Sequence, residues 1–167
     1  MADLQHWLAS IHRGDRAAFE ALYEHMKRPL FTVILRTTGD RPLAEDVLQD
    51  LFLKLYLTPP QPAKNPHAYL CRMARNLAID ALRTQKPDIE FDEHVHHNPG
   101  PDFSQALDVE DAIAALPARE REIVTLHLNG GLKFREIAAA MDIPLGTVLW
   151  AYQKALDQLR ITLGGVL

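Results

Sequence analysis

The side chains best suited to chemistry in this 167-residue chain are cations and amides rather than nucleophiles. Between Leu70 and Arg83, the residues Arg72, Arg75, Asn76 and Arg83 recur at spacings that share one side of a helix. Placed on a helical wheel at about 100° per residue, Leu70, Met73, Ala74, Leu77 and Ala81 fall on one side. Arg72, Arg75, Asn76, Ile79 and Arg83 fall on the other. Guanidinium groups attract phosphate, and an asparagine amide can both donate to and accept from a base edge. A solvated helix face with ion pairs to Asp80 or Glu24 has the same composition, so the ridge alone does not choose between these readings. A second constellation is His94, His96 and His97 beside Asp92 and Glu93. These are metal-ligand types, but they lie in a stretch with proline and glycine and no preformed cage, so no metal is expected. The single cysteine, Cys71, excludes an intrachain disulfide and any CxxC site, and is read as a small buried apolar side chain. Gly-rich phosphate loops, nucleophile elbows and HExxH are absent, so neither catalysis nor a cofactor is expected.

The elements that must position the ridge are helices. Leu4 to about Arg13 reads as a short one ending at Gly14. Asp15 caps a long one with the stripe Phe19, Leu22, Tyr23, Met26, Leu30, Val33 and Ile34, and Pro29 predicts a kink inside it. Gly39 stops it, and Arg41-Pro42 opens a third with Leu43, Val47, Leu51 and Leu55 buried. Pro59, Pro60 and Pro62 end that helix, and Asn65-Pro66 opens the fourth, to about Arg83. From Lys86 to Ser104 helical periodicity is lost among prolines, a glycine and five acidic residues, the composition of an exposed linker. Four further helices are expected: Asp108 to Ala115, Pro117 to about Leu128, Phe134 to Met141 and Leu145 to about Leu163. Nothing alternates with the period of a strand. The prediction is an all-α protein of two small domains, 1–85 and 105–167, joined by the linker 86–104.

The net charge of −4 argues against a nucleic-acid partner only if its distribution is ignored. The balance is +2 through Gln85, −4 over the linker and −2 beyond it. The last segment has the layout of a helix-turn-helix over Lys133 to Leu163, with a tight turn at Asp142-Ile143-Pro144 and Ile137, Met141, Ile143, Val148, Tyr152 and Leu156 as the locking apolar set. Helix pairs of this kind also occur in bundles that bind nothing. In the second helix, Leu145, Val148, Leu149, Tyr152, Leu156 and Leu159 are expected on the buried side. Thr147, Trp150, Lys154, Asp157 and Gln158 are expected outward, with Trp150 either packed on a neighbouring helix or serving as a surface contact.

Three strings in the last segment, Ala115-Leu116-Pro117-Ala118-Arg119-Glu120-Arg121-Glu122-Ile123-Val124, Glu136-Ile137-Ala138 and Ile143-Pro144-Leu145-Gly146-Thr147-Val148, resemble region 4 of bacterial sigma factors. In the first segment, Ala44-Glu45-Asp46-Val47-Leu48-Gln49-Asp50-Leu51-Phe52 resembles region 2.2. Ala68-Tyr69-Leu70 and Ala74 to Arg83 resemble regions 2.3 and 2.4. The resemblance covers both globular segments and points to the small extracytoplasmic-function (ECF) group. It implies an alternative sigma factor that carries RNA polymerase core enzyme to promoter DNA. On it, Glu45, Asp46, Gln49, Asp50 and Phe52 would dock on the polymerase clamp. Tyr69, Arg72, Arg75, Asn76, Asp80 and Arg83 would recognise and open the −10 element, with the loop from Pro59 to Asn65 where relatives form a pocket for a flipped base. Lys133, Arg135, Thr147, Trp150 and Lys154, with Arg160 in support, would meet the −35 element. The sequence departs from the family where Leu149, Trp150 and Ala151 replace the usual Lys, Ser and Arg, so the −10 side is expected to carry more of the specificity.

The resemblance also implies an anti-sigma partner. With no apolar run of membrane-spanning length and no signal-peptide pattern, the chain is expected in the cytosol and not inserted in a membrane. Without polymerase, the acidic linker is expected to lie near Arg72, Arg75 and Arg83. The competing reading is a sigma-like adaptor that binds polymerase or a protein partner without recognising a promoter. An ordinary helix-turn-helix repressor would leave the first segment unexplained.

Overall fold

The computed structural model describes residues 4–61, 64–85 and 109–164, and every regular element among them is an α-helix. The chain divides into two compact units, Met1–Gln85 and Lys86–Leu167. The expected linker, its histidines and the start expected at Asp108 lie outside the described residues.

The first unit contains α1 (Leu4–His12), α2 (Arg16–Thr38), α3 (Arg41–Leu57) and α4 (Pro66–Gln85). Short polar side chains open the last three, each accepting from a first-turn amide that has no helical partner. Asp15 accepts from the Ala18 N–H at 3.3 Å, Asp40 from Leu43 at 3.2 Å and Asn65 from Ala68 at 3.1 Å. Gly39 closes α2 at φ 67°, where a side chain would be strained, and its N–H donates to the Leu35 carbonyl at 2.7 Å. α2 continues through Pro29. It packs against α1, α3 and α4, and its stripe of Leu22, Met26, Leu30, Val33 and Ile34 is buried with Val47, Leu51 and Leu55 of α3 and Leu70 and Ala74 of α4. Each such Leu, Ile or Met contributes about 1.5–3 kcal/mol by leaving water. Phe19 and Tyr23, expected in that stripe, lie at its edge, half-buried and exposed respectively. Cys71 is fully buried, and desolvation pushes its thiol up to about 12.

The second unit contains α5 (Val109–Ala114), α6 (Ala118–Leu128), α7 (Phe134–Met141) and α8 (Leu145–Thr162). Ala112, Ile113, Leu116, Val124, Ala155 and Leu159 form one apolar cluster, with Tyr152, Leu156 and Leu163 packed at its margin. Ile137, Met141 and Val148 are buried where α7 meets α8, as the helix-turn-helix pattern requires. Three rings pin the entry to α7. His127 stacks on Phe134 at 4.3 Å between centroids, and Tyr152 meets both edge-on at 5.1 and 4.9 Å. His127 Nδ1 lies 2.9 Å from the Leu132 carbonyl, which can only accept, so the proton sits on Nδ1.

Candidate nucleic-acid and docking surfaces

On α4 the solvent ridge runs through Tyr69, Arg72, Asn76, Asp80 and Arg83, all exposed and spaced by three or four residues. Arg75 and Ile79, expected on this ridge, are instead buried, each 7% exposed. The inward face centres on Cys71, Ala74 and Ala78, small side chains that let α4 seat closely against α1, α2 and α3, and this close seating widens the buried arc to take in Arg75 and Ile79. Met73, Leu77 and Ala81 are correspondingly only half-buried. Arg75 is buried and has a partner within the protein, so it does not stand on the exposed ridge with Arg72 and Arg83. At the head of the ridge, Lys64 adds an exposed cation that the helical spacing did not reveal because it precedes α4. Its carbonyl accepts from Gln5 Nε2 of α1 at 3.2 Å, which ties this end of the loop to the bundle. Pro62 and Ala63 of that loop lie outside the described residues.

On α3, Glu45, Asp46, Gln49 and Asp50 are exposed on one polar face, with Glu45 paired to Arg41 at 3.4 Å. Phe52 departs from expectation. It is buried, packed edge-on against Tyr23 of α2 at 4.8 Å and Phe19 at 6.3 Å, so it shapes the face rather than belonging to it. Beside it α2 and α3 enclose a groove of about 570 Å³, lined among others by Phe19, Tyr23, Gln49, Leu53 and Tyr56. Tyr23 of α2 and Leu53 and Tyr56 of α3 are exposed at its border, and the two from α3 could be read from the sequence only as residues off its buried stripe.

In the second unit α7 starts where the Lys133 N–H donates to Glu136 Oε1 at 2.9 Å, a side chain reaching back to satisfy a cap amide. Lys133 and Arg135 are exposed there. The turn is made by Asp142 at φ 54°, with the Ile143 N–H donating to the Ala138 carbonyl at 3.0 Å. α8 then buries Val148, Ala151, Ala155 and Leu159. Leu145 and Leu149, expected inside, are 37% and 46% exposed. Alanines at 151 and 155 allow a close approach of α8 to α6, and that seating turns the larger flanking side chains outward. Trp150 is a surface residue, 63% exposed. Lys154 Nζ lies 5.0 Å from its ring centroid and 3.7 Å from Glu120 Oε1, whose side chain is almost buried. The one cation on this part of α8 is thus already partnered. Thr147 is half-buried, and Arg160 pairs with Asp157 at 3.4 Å.

Among the described residues no group of three or more His, Cys, Asp or Glu is placed to hold a metal, and no helix is long and apolar enough to cross a membrane. What the geometry defines is a helix-turn-helix protein whose other unit displays a polar, partly cationic ridge. The family model described as Sigma-70 region 2 matches residues 22–87, and that described as Sigma-70, region 4 matches 106–159. The chain belongs to the sigma-70 family, in its ECF group. It is 26% identical to the ECF RNA polymerase sigma factor SigW of Bacillus subtilis, over 92% of each chain. It is 29% identical to the ECF RNA polymerase sigma factor RpoE of Cereibacter sphaeroides, over 95% of this chain and 96% of that one. Among solved structures, the fold is similar to the sigma factor RpoE of Bartonella quintana, solved in complex with the anti-sigma factor NepR, with a TM-score of 0.67 and 20% identity over 89% of this chain and 98% of that one. It is similar too to CnrH in complex with the cytosolic domain of CnrY, at 0.64 and 19% over 98% of each.

Proposed function

We propose that this alternative sigma factor, which directs RNA polymerase core enzyme to promoters and initiates transcription there, divides the task unequally between its two units. The observation that carries the proposal is the exposed ridge Tyr69, Arg72, Asn76, Asp80 and Arg83 on α4, inside the segment that matches region 2. Opening a duplex means unstacking bases at a few kcal/mol each, so the opening surface must offer compensating contacts to the separated strand. Arg72, Arg83 and Lys64 attract phosphates, Asn76 hydrogen-bonds a base edge or sugar, and the Tyr69 ring offers a face for stacking. Asp80, between the cations, repels phosphate and restricts where the strand can run.

Glu45, Asp46, Gln49 and Asp50 form the polar part of the core-docking face, and the groove beside Gln49 and Phe52 supplies its apolar part. Residues 86–104 join the −10 unit to the −35 unit. In the −35 unit Lys133, Arg135, Thr147 and Trp150 face DNA, while Lys154 serves mainly to support Trp150. The polymerase performs the chemistry of RNA synthesis, the protein works in the cytoplasm, and an anti-sigma factor restrains it; the similar sigma factor RpoE of Bartonella quintana was solved in complex with such a partner, NepR.

The sparse charge on α8 favours one further reading, an adaptor that binds polymerase without recognising promoters. Transcription by core enzyme plus this chain on a genomic promoter library separates the two. Initiation that requires the chain and fails with Asn76→Ala supports the sigma-factor reading; core binding without initiation on any template supports the adaptor.

A further inference from the structure

The outward face of α8 lacks the side chains with which a recognition helix usually reads bases. In the first turns of such a helix, Arg or Lys reads guanine and Asn or Gln reads adenine through paired hydrogen bonds, whereas the C5-methyl of thymine is read by apolar contact. From Leu145 to Tyr152 this helix carries no Arg, Lys, Asn or Gln. It exposes Leu145, Leu149 and Trp150 instead, and the first cation, Lys154, has its ammonium held between Glu120 and the Trp150 ring. Gly146 lies between Leu149 and Trp150 on the same face. A Cβ there would meet nothing within 4 Å, so internal packing does not demand a glycine. Glycine in a helix is otherwise unfavourable, and its use here fits a surface that another molecule approaches closely.

We infer that the second unit reads its promoter element through the methyl groups of thymines packed against Trp150 and Leu149 across the open surface at Gly146, rather than through hydrogen bonds to guanine or adenine. Lys154 is then a positioning residue, holding the indole by its cation over the ring. This rests on the sigma-factor reading above and specifies the chemistry of one of its surfaces. A protein partner covering the same face is the alternative that the test must separate.

Holoenzyme is reconstituted from core RNA polymerase and the full chain, and transcribed templates are selected from a library with a randomised upstream element and a fixed −10 side. The selected templates are then remade with deoxyuridine in place of thymidine in that element, which deletes only the methyls. The expected result is a thymine-rich consensus and a fall in promoter binding of about fourfold for each contacted methyl, the equivalent of one buried methyl or methylene group. Trp150→Ala should weaken binding to the thymine template and shrink the further response to uracil to the part that Leu149 carries, and Trp150→Arg should move the selected consensus toward guanine. Because Trp150 is exposed, its substitution should leave the fold in place, with helicity and thermal unfolding of the variants measured as the check. A consensus without thymine preference, or uracil templates bound as well as thymine ones, overturns the inference and assigns the patch to a protein contact. If no template is transcribed at all, the sigma-factor reading fails first and the inference with it.

Discussion

Glu120 on α6 and Lys154 on α8 face each other at 3.7 Å, the carboxylate almost buried and the ammonium half in water. The pair joins two helices of the same unit and sets the row of Lys154 over Trp150. Because Lys154 is well solvated, the attraction is screened, and a double-mutant cycle of Glu120→Gln and Lys154→Met should give a coupling below about 1 kcal/mol. In a Trp7→Phe background Trp150 is the only tryptophan, so its fluorescence reports the cycle in urea. Lys154→Met should also change the emission of the folded state, since the cation leaves the ring. An unchanged spectrum would show that the lysine does not rest there in solution.

Arg75 and Arg72 separate stability from promoter opening. Arg75 is buried and engaged, so Arg75→Ala should destabilise the first unit by about 1–3 kcal/mol in urea unfolding, the range for a buried polar group lost from its partners. Arg72→Ala and Asn76→Ala remove exposed side chains and should shift stability by less than about 0.5 kcal/mol. They should nevertheless reduce permanganate-detected strand opening more than Lys154→Ala does. Equal opening defects for Asn76→Ala and Lys154→Ala would contradict the assignment of specificity to the −10 side.

The two arginines also show what a sequence can and cannot reveal. Helix limits were legible because they are written in local chemistry: Asp15, Asp40 and Asn65 each satisfy an orphan amide of the helix they open, and Gly39 takes the left-handed conformation that ends α2. Facing was less legible. A helical wheel fixes the angles between Arg72, Arg75, Ile79 and Arg83, but not the width of the arc that the neighbouring helices cover. On α4 contact with three helices widened that arc to include Arg75 and Ile79. On α8 the close approach at Ala151 and Ala155 rotated Leu145 and Leu149 outward, against their hydrophobicity. The same limit hid the burial of Phe52, whose partners Phe19 and Tyr23 come from another helix. The Glu120–Lys154 pair spans 34 residues (154 − 120) and left no periodic trace.

Cys71 makes a prediction about pH. Burial lifts its thiol from 9.0 to about 12, so the folded protein holds this proton at pH values where the unfolded chain has released it. The sign follows: the stabilisation from keeping the thiol neutral is complete below pH 9 and is lost progressively as pH rises toward 12. Cys71→Ala removes this contribution, so its unfolding free energy should fall less steeply than that of the parent between pH 9 and 11, whatever the offset from the smaller side chain. Iodoacetamide should alkylate Cys71 at pH 8 in urea and leave the folded protein unmodified. Rapid alkylation of the folded chain would contradict its burial.

Helix caps give a simpler test. Asp40 has the N-cap geometry of α3 and bonds the Leu43 amide, so Asp40→Ala should lower the stability of the first unit by about 1 kcal/mol, and Asp40→Asn, which keeps the acceptor, by much less. Comparable losses in both variants would mean that the carboxylate charge near the helix N-terminus, rather than the hydrogen bond, is what matters.

Asp142 links backbone conformation to function in one residue. It is the only non-glycine residue at positive φ among the described residues, and it sits in the turn that fixes α8 relative to α7. Aspartate tolerates the left-handed region better than most side chains, and its charge lies between the C-terminus of α7, where the helix dipole opposes it, and the N-terminus of α8, where the dipole favours it. Asp142→Asn keeps the backbone tolerance and removes both opposing dipole contributions, so stability should change by less than about 0.5 kcal/mol. Asp142→Gly removes the steric strain but raises the entropy of the unfolded chain, and the two should nearly cancel. Asp142→Val places a β-branched side chain at φ 54° and should destabilise the second unit by at least about 1–2 kcal/mol. If the turn sets how α8 is presented to the promoter, Asp142→Val should lose transcription from templates that need the upstream element while core binding by the first unit persists. Full upstream dependence in a folded Asp142→Val protein would show that α8 is positioned by its packing on α6 alone.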